Sequence, residues 1–255
     1  MNKIYVCSDL HGCFDLYEQI NNFILPDDTV IFLGDAVDRG PYSYETMEAI
    51  RTNPQWIYLK GNHEAMLEDA INEKLNPDSS VPFNFSYIYC INNGAEDKGE
   101  SAYHQIIKNN QLQEYSNFFA NEMFLHYTID NAKTGIRVIL THAGYTPLPD
   151  KDPETYLEDE DLFWDRTHFL DNIPQEKMDM PTIIIHGHTP TVFLIEEVSE
   201  CQKFGDPKFP LCRYGNGKID IDAGSFSSGI AYLVDITDIT LDHMNFKTFY
   251  SKEVD

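Results

Sequence analysis

Apolar positions along the chain follow two rhythms. Five short runs, Ile4–Cys7, Val30–Leu33, Trp56–Leu59, Arg137–Leu140 and Thr182–Ile185, are apolar or β-branched and bounded by turn residues, a pattern that predicts buried strands. Between them the period becomes helical. Phe14, Tyr17, Ile20 and Ile24 fall on one helical face, and Ser43 stands where it can cap a helix carrying Met47 and Ile50. Further helical stretches are expected around Ala65–Leu75 and Ala102–Asn109. From Ile219 onward the runs Ile219–Ile221, Ala231–Val234, Thr240–Asp242 and Phe246–Tyr250 predict successive antiparallel strands. Strands alternating with helices imply an α/β fold with helix-covered sheets.

With 255 residues, 42% of them hydrophobic, the chain is long enough for one substantial core and short for two. A single domain over residues 1–255 is expected. Residues 65–131, richer in polar and aromatic side chains, read as an insertion that shapes a substrate cleft. No stretch approaches the ~20 apolar residues needed to span a bilayer. Met1–Cys7 runs directly into Asp9 without the features of a secretory signal. The five cysteines are scattered and odd in number, which predicts reduced thiols in the cytoplasm, not a disulfide frame or a thiolate zinc site.

Charge narrows the range of partners. Asp and Glu total 42 against 18 Lys and Arg, for a formal net charge of −24. Duplex nucleic acid is excluded as a partner, because its binding rests on basic residues neutralising phosphates, and no membrane partner is expected. If such a chain handles phosphate esters, it needs a local source of positive charge, and bound metal is the obvious one.

The strand ends carry the chemistry. The first strand runs into Ser8-Asp9-Leu10-His11-Gly12, the second into Gly34-Asp35-Ala36-Val37-Asp38-Arg39-Gly40, and the third into Gly61-Asn62-His63-Glu64. The fourth delivers Thr141-His142-Ala143-Gly144 and the fifth His186-Gly187-His188-Thr189. Taken singly, each has a bland explanation as a helix cap, a turn former or a satisfied histidine. Five in succession, each after a strand, where open α/β sheets bind ligands, form a metal-site signature.

In order and spelling, Asp9-x-His11, Gly34-Asp35-x-Val37-Asp38-Arg39-Gly40, Gly61-Asn62-His63-Glu64, His142 and Gly187-His188 resemble the phosphoprotein phosphatase branch of the calcineurin-like metallophosphoesterases, with the match running from residue 5 to residue 190. Within that branch the chain is similar to bacterial and phage-type protein phosphatases and to symmetrical diadenosine tetraphosphatases. The resemblance implies a four-layer αββα sandwich with a helical insertion. It also implies two divalent ions, manganese foremost, with iron or zinc as the alternatives that mixed oxygen and imidazole ligation also suits. By resemblance Asp9 and His11 hold the first ion, Asp35 bridges both, and Asn62, His142 and His188 hold the second. Hydroxide held by the metals attacks phosphorus directly, without a covalent phosphoenzyme. His63 is the general acid, with Asp38 orienting its imidazole.

Arginine is scarce, so its placement is informative. Arg39 lies inside the second motif, where a planar guanidinium can grip two phosphate oxygens. Arg166, in Leu162-Phe163-Trp164-Asp165-Arg166, resembles the second phosphate-binding arginine of phage-type enzymes; an ion pair with Asp165 or Glu160 is its plainer explanation. Asn92-Asn93-Gly94-Ala95 resembles a family Asn-Gly-Gly element imperfectly, and Asp222-Ala223-Gly224 the family's late Asp-x-Gly. His186 reads as structural, and His104, His126, His168 and His243 as surface or packing residues. Cys13, beside the first motif, reads as a small buried side chain.

The expected substrate is a phosphorylated one, a phosphoprotein or small phosphoester cleaved by a phosphomonoesterase acting on phosphoserine and phosphothreonine. The alternatives are a symmetrical bis(5'-nucleosyl)-tetraphosphatase and a silent scaffold. The first needs aromatic platforms, for which Phe83, Phe85, Tyr87 and Tyr89 are candidates, although their alternation equally marks a strand packing one face on the core. A scaffold has no need of so complete a ligand set.

Overall fold

A computed structural model of the protein describes residues 2–76, 89, 101–145, 161–166, 171–198 and 200–252. β1 (Ile4–Cys7), α1 (Phe14–Phe23), β2 (Thr29–Phe32), α2 (Ser43–Thr52), β3 (Trp56–Tyr58) and α3 (Asn62–Leu75) alternate along the first part of the chain. Then follow α4 (Ala102–Lys108), α5 (Leu112–Asn121), β4 (His126–Asn131), β5 (Ile136–Thr141), α6 (Asp161–Trp164), β6 (Thr182–His186) and α7 (Thr191–Glu197). The last part holds β7 (Cys201–Phe204), β8 (Leu211–Tyr214), β9 (Lys218–Asp220), α8 (Ser225–Ser228), β10 (Ile230–Asp235) and β11 (Asn245–Tyr250).

The strands form two mixed sheets, ordered β11-β10-β1-β2-β3 and β4-β5-β6-β9-β8-β7. β1, β2 and β3 run parallel in the first sheet, and β5, β6 and β9 in the second. The continuous apolar runs follow from burial on both faces. Val6, Ile31 and Leu33 face the other sheet and pack with Val138, Leu140, Ile183, Ile185 and Ile219. Their neighbours Tyr5, Cys7, Val30 and Phe32 face the helices, meeting Leu16, Ile20, Met47 and Ile50. On the outer side of the second sheet, Ile139 and Ile184 pack with Tyr145, Leu162 and Ile173, while Leu194 of α7 covers Cys212 and Tyr214. Helix, sheet, sheet and helix thus form the four layers of an αββα sandwich. Within 65–131, Tyr103, Ile106, Tyr115, Phe118 and Phe119 of α4 and α5 share the first sheet's helix-side core with Leu67 and Ile71 of α3.

Several expectations shift. Ser43 is the first helical residue of α2, not its cap; its hydroxyl donates to Gly40 O at 3.0 Å. α3 begins at Asn62, which puts Asn62 and His63 in its first turn. Thr240–Asp242 forms no strand, because Thr240 N turns back onto His243 O. The C-terminal strands are not one antiparallel succession: β9 lies parallel to β6 in the second sheet, whereas β10 and β11 belong to the first. Among the described residues no helix is long and apolar enough to cross a membrane.

Candidate metal centre

The loops after β1, β2, β3, β5 and β6 converge where the two sheets meet. Backbone bonds continue past the strand ends, from Asp9 N to Gly34 O at 3.0 Å, His11 N to Asp35 O at 2.9 Å and Gly12 N to Ala36 O at 2.7 Å, so the first two loops are locked together. The other sheet joins through His142, whose Nδ1 meets Leu33 O at 2.9 Å, and through His188 N, which donates to the Asp9 carboxylate at 3.2 Å. Asp9, His11, Asp35, Asp38, Arg39 and His188 all have positive φ, between 43° and 68°. Among the described non-glycine residues only Asn110 and Asn216 share that conformation, so the strained backbone is concentrated at this site. Each such residue costs on the order of 1–3 kcal/mol and persists only where the surroundings enforce it.

Asp35 sits at the middle of the cluster. Its Oδ2 lies 3.4 Å from His11 Nε2 and 3.9 Å from His63 Nε2, and its Oδ1 lies 3.4 Å from His142 Nε2. Ligand atoms of His11, Asp35 and His63 lie within 4.8 Å of one another, as do those of Asp9, Asp35 and His142, and Asp35 is common to both groups. Asn62 Oδ1 is 3.1 Å from His142 Nε2 and 2.9 Å from His188 Nδ1.

The donor set fits divalent cations. His11 Nδ1 donates to Val37 O at 2.8 Å and His142 Nδ1 to Leu33 O, so in both rings Nε2 carries a lone pair. His11 Nε2 is buried without a hydrogen-bond partner, and His188 turns its Nδ1 onto the Asn62 oxygen. His142 Nε2 faces the oxygens of Asn62 and Asp35, an acceptor meeting acceptors. Burial is the largest cause holding the imidazoles of His11, His142 and His188 below their ordinary pKa, His188 down to about 2, which leaves them neutral as metal ligation requires. The Asp9 carboxyl is pushed well up by burial, then by the charges of Asp222 and Asp35. A cation relieves each of these conflicts.

His63 lies beside this cluster with both ring nitrogens engaged. Nδ1 meets Asp38 Oδ2 at 2.6 Å, and Arg39 Nη2 donates to Nε2 at 3.1 Å. Burial opposes a charged ring, but Asp35 and then Asp38 outweigh it and raise the His63 pKa. Glu64 fixes the frame: its Oε2 accepts from Asp35 N at 2.7 Å and Gly61 N at 3.0 Å, and its Oε1 from Ala36 N and Tyr58 Oη at 2.9 Å. Burial and the Asp35 charge push its carboxyl up to about 7 against those donors. A cation at Asp35 removes the second cause.

Arg166 is exposed just after α6, and its charge is felt at His188 and Asp222. Trp164 presents its edge to His188 with centroids 6.3 Å apart. Asp222, in the family's late Asp-x-Gly, belongs to the site: burial raises its carboxyl to about 6, and it interacts electrostatically with Arg39, Asp35, Arg166 and Asp9. The late Asp-x-Gly was its signal, but the pairing of β9 with β6 was needed to bring it here. His186 is buried away from the cluster, its Nε2 2.6 Å from Tyr214 Oη. Tyr89 reaches Asp38, with its hydroxyl 2.5 Å from Oδ1. Phe83, Phe85, Tyr87, Asn92–Ala95, Glu160 and His168 lie outside the described residues.

The motif glycines are there for space. A methyl group on Gly187 overlaps Asp9 Oδ2 and Ser8 Oγ, and one on Gly61 overlaps Asp35 Oδ1. Gly187→Ala is therefore expected to destabilise the protein by about 1–3 kcal/mol and to weaken metal binding by displacing Asp9. Thermal melts with and without manganese check this; an unchanged manganese-induced rise in Tm contradicts it.

The family described as calcineurin-like phosphoesterase matches residues 2–221. The chain is 26% identical over 174 residues to serine/threonine-protein phosphatase 2 of Salmonella typhimurium (strain LT2), covering 67% of this chain and 71% of that protein. In fold it resembles the crystal structure of a putative diadenosine tetraphosphatase, with a TM-score of 0.56, 16% identity and coverage of 99% of this chain and 95% of the other. It also resembles a protein serine/threonine phosphatase from Saccharomyces cerevisiae with similarity to human phosphatase PP5, with a TM-score of 0.53, 18% identity and coverage of 99% and 81%. The family match takes in every strand end that meets at Asp35, and the chain belongs to the calcineurin-like phosphoesterases, hydrolases of phosphoesters that work with two divalent metal ions.

Proposed function

We propose that the protein is a phosphomonoesterase that removes phosphate from phosphoserine and phosphothreonine side chains, with manganese as its metal and the cytoplasm as its compartment. In this reading residues 1–255 act as one domain, and the 65–131 insertion borders the substrate. Asp9, His11 and Asp35 would hold one ion, and Asp35, Asn62, His142 and His188 would hold the other. Bound there, two dications supply Lewis acidity toward the phosphoryl oxygens and acidify an attacking water. Arg39 and Arg166 bind the phosphate dianion. As water oxygen bonds to phosphorus, the phosphorus–oxygen ester bond breaks, its electron pair leaves on the seryl or threonyl oxygen, and His63 Nε2 gives that oxygen a proton.

The observation that carries the reading is the buried Asp38–His63 pair beside a cluster of mutually facing acceptor atoms. In the arrangement seen, Arg39 donates to His63 Nε2, so that nitrogen carries a lone pair. Moving the Arg39 guanidinium onto an incoming phosphate leaves Nε2 open to hold the proton it will donate. The net charge of −24 favours a peptide bearing one phosphate over a dinucleoside tetraphosphate, which concentrates several negative charges. The sequence similarity to a serine/threonine-protein phosphatase points the same way.

Phosphate release by manganese-loaded protein from p-nitrophenyl phosphate, a phosphothreonine peptide and diadenosine tetraphosphate tests this. Both monoesters should turn over, with the dinucleotide far behind. Preferential cleavage of the dinucleotide, or no turnover of any of the three with two ions bound, overturns the proposal.

A further inference from the structure

The Asp38–His63 pair has a third member. Asp38 uses both carboxylate oxygens inside a buried site: Oδ2 meets His63 Nδ1 at 2.6 Å, and Oδ1 accepts from the Tyr89 hydroxyl at 2.5 Å. Tyr89 is 3% exposed, and its ring meets Tyr103 of α4 edge-on with centroids 6.4 Å apart. Tyr103 belongs to the core that holds Met47, Leu67 and Ile106. A continuous path therefore runs from the packed helices of the insertion, through one phenol, to the carboxylate that orients the imidazole.

The bond has a mechanical consequence. The terminal torsion of an aspartate is broad and roughly two-fold, so a carboxylate held through one oxygen can swing about Cβ–Cγ. Tying the second oxygen fixes its plane, which sets the direction from which Oδ2 meets His63 Nδ1 and so the direction of Nε2. Asp38 stands at φ 68° in a loop, without a helix or strand to define its side chain. The Tyr89 hydroxyl also satisfies an oxygen that would otherwise be a buried acceptor without a donor, which makes the bond costly to lose.

We propose that Tyr89 is a positioning residue for proton transfer to the leaving group: through Asp38 it holds His63 Nε2 toward the ester oxygen, without itself touching the substrate. This rests on the reading of His63 as the proton donor. It also gives the insertion a direct part in the chemistry, through a single hydroxyl.

Tyr89→Phe removes the hydroxyl and keeps the ring on Tyr103. With manganese-loaded enzyme, kcat for phenyl phosphate, whose leaving group needs a proton, should fall about tenfold, the size of one hydrogen bond to a charged group. For 2,4-dinitrophenyl phosphate, whose leaving group departs as an anion, kcat should change little, and KM should hold for both. The loss on phenyl phosphate should vanish when Tyr89→Phe is made in an Asp38→Asn background, because the hydroxyl acts through that carboxylate. An equal loss on the two esters, no loss on phenyl phosphate, or an undiminished effect in the Asp38→Asn background overturns the proposal. His63→Asn, measured in parallel, separates the two readings. If it depresses phenyl phosphate selectively while Tyr89→Phe does not, only the role of Tyr89 falls. If His63→Asn affects both esters equally, the proton-donor assignment falls and the Tyr89 proposal with it.

Discussion

Replacing His63 by Asn is expected to lower kcat toward phosphomonoesters by about 10²–10⁴-fold, the usual share of a positioned general acid, while both metal ions stay bound. The imidazole nitrogens make their hydrogen bonds to Asp38 and Arg39, not to the proposed ligands, so their removal should leave Asp9, His11, Asp35, Asn62, His142 and His188 in place. The one contact His63 makes with a proposed ligand through its backbone, from its N–H to Asp35 Oδ1 at 3.1 Å, survives in asparagine. The loss should be deepest for phosphothreonine and shallower for p-nitrophenyl phosphate, whose leaving group depends less on a proton. Metal analysis of the same preparation checks the assignment. His63 does lie within 4.8 Å of ligand atoms of His11 and Asp35, so if the variant loses its metal, His63 is a ligand and the proton donor lies elsewhere.

Replacing Asp35 by Asn should have the larger effect on metal. Asp35 is the one residue shared by the two groups of converging ligand atoms, with an oxygen 3.4 Å from His11 Nε2 and another 3.4 Å from His142 Nε2. An amide keeps one acceptor oxygen and loses the charge. Removing one partner from a buried charged arrangement costs about 3–5 kcal/mol, or about 10²–10⁴-fold in affinity, and both ions should weaken because both share the side chain. Asp35→Asn should also lose most of the manganese-induced rise in Tm, which scales with binding to the folded state. Loss of one ion only, by metal analysis, would remove Asp35 from its bridging position.

The strands, and the segments that converge on Asp35, were legible because they rest on local patterns. Ile4–Cys7 is β1 to the residue, and each of the other four early runs lies within a residue or so of an observed strand, since buried parallel strands leave continuous apolar runs whatever their partners. Asp9, His11, Asp35, Asn62, His142 and His188 stand in or just after the segments that follow strands, and the family resemblance, not the pattern alone, proposed them as ligands. Sheet order was not legible. Nothing local places β9 beside β6 or β10 beside β1, and those pairings are what bring Asp222 into the site. β4 and β7, edge strands with half-exposed residues, lack the apolar run that marks the central ones. Tyr89 shows the limit most clearly. In sequence it is one of several alternating aromatics, and its role depends on a hydroxyl meeting a carboxylate 51 positions earlier in the chain.

The most direct test of the two-metal centre is a manganese titration of the stripped wild-type protein, following bound ions and phosphate release from p-nitrophenyl phosphate in the same samples. Two ions should bind per chain, with turnover absent from the stripped protein and reaching its full value only as the second site fills. Full turnover in the stripped protein, or saturation at a single ion with full activity, would contradict it.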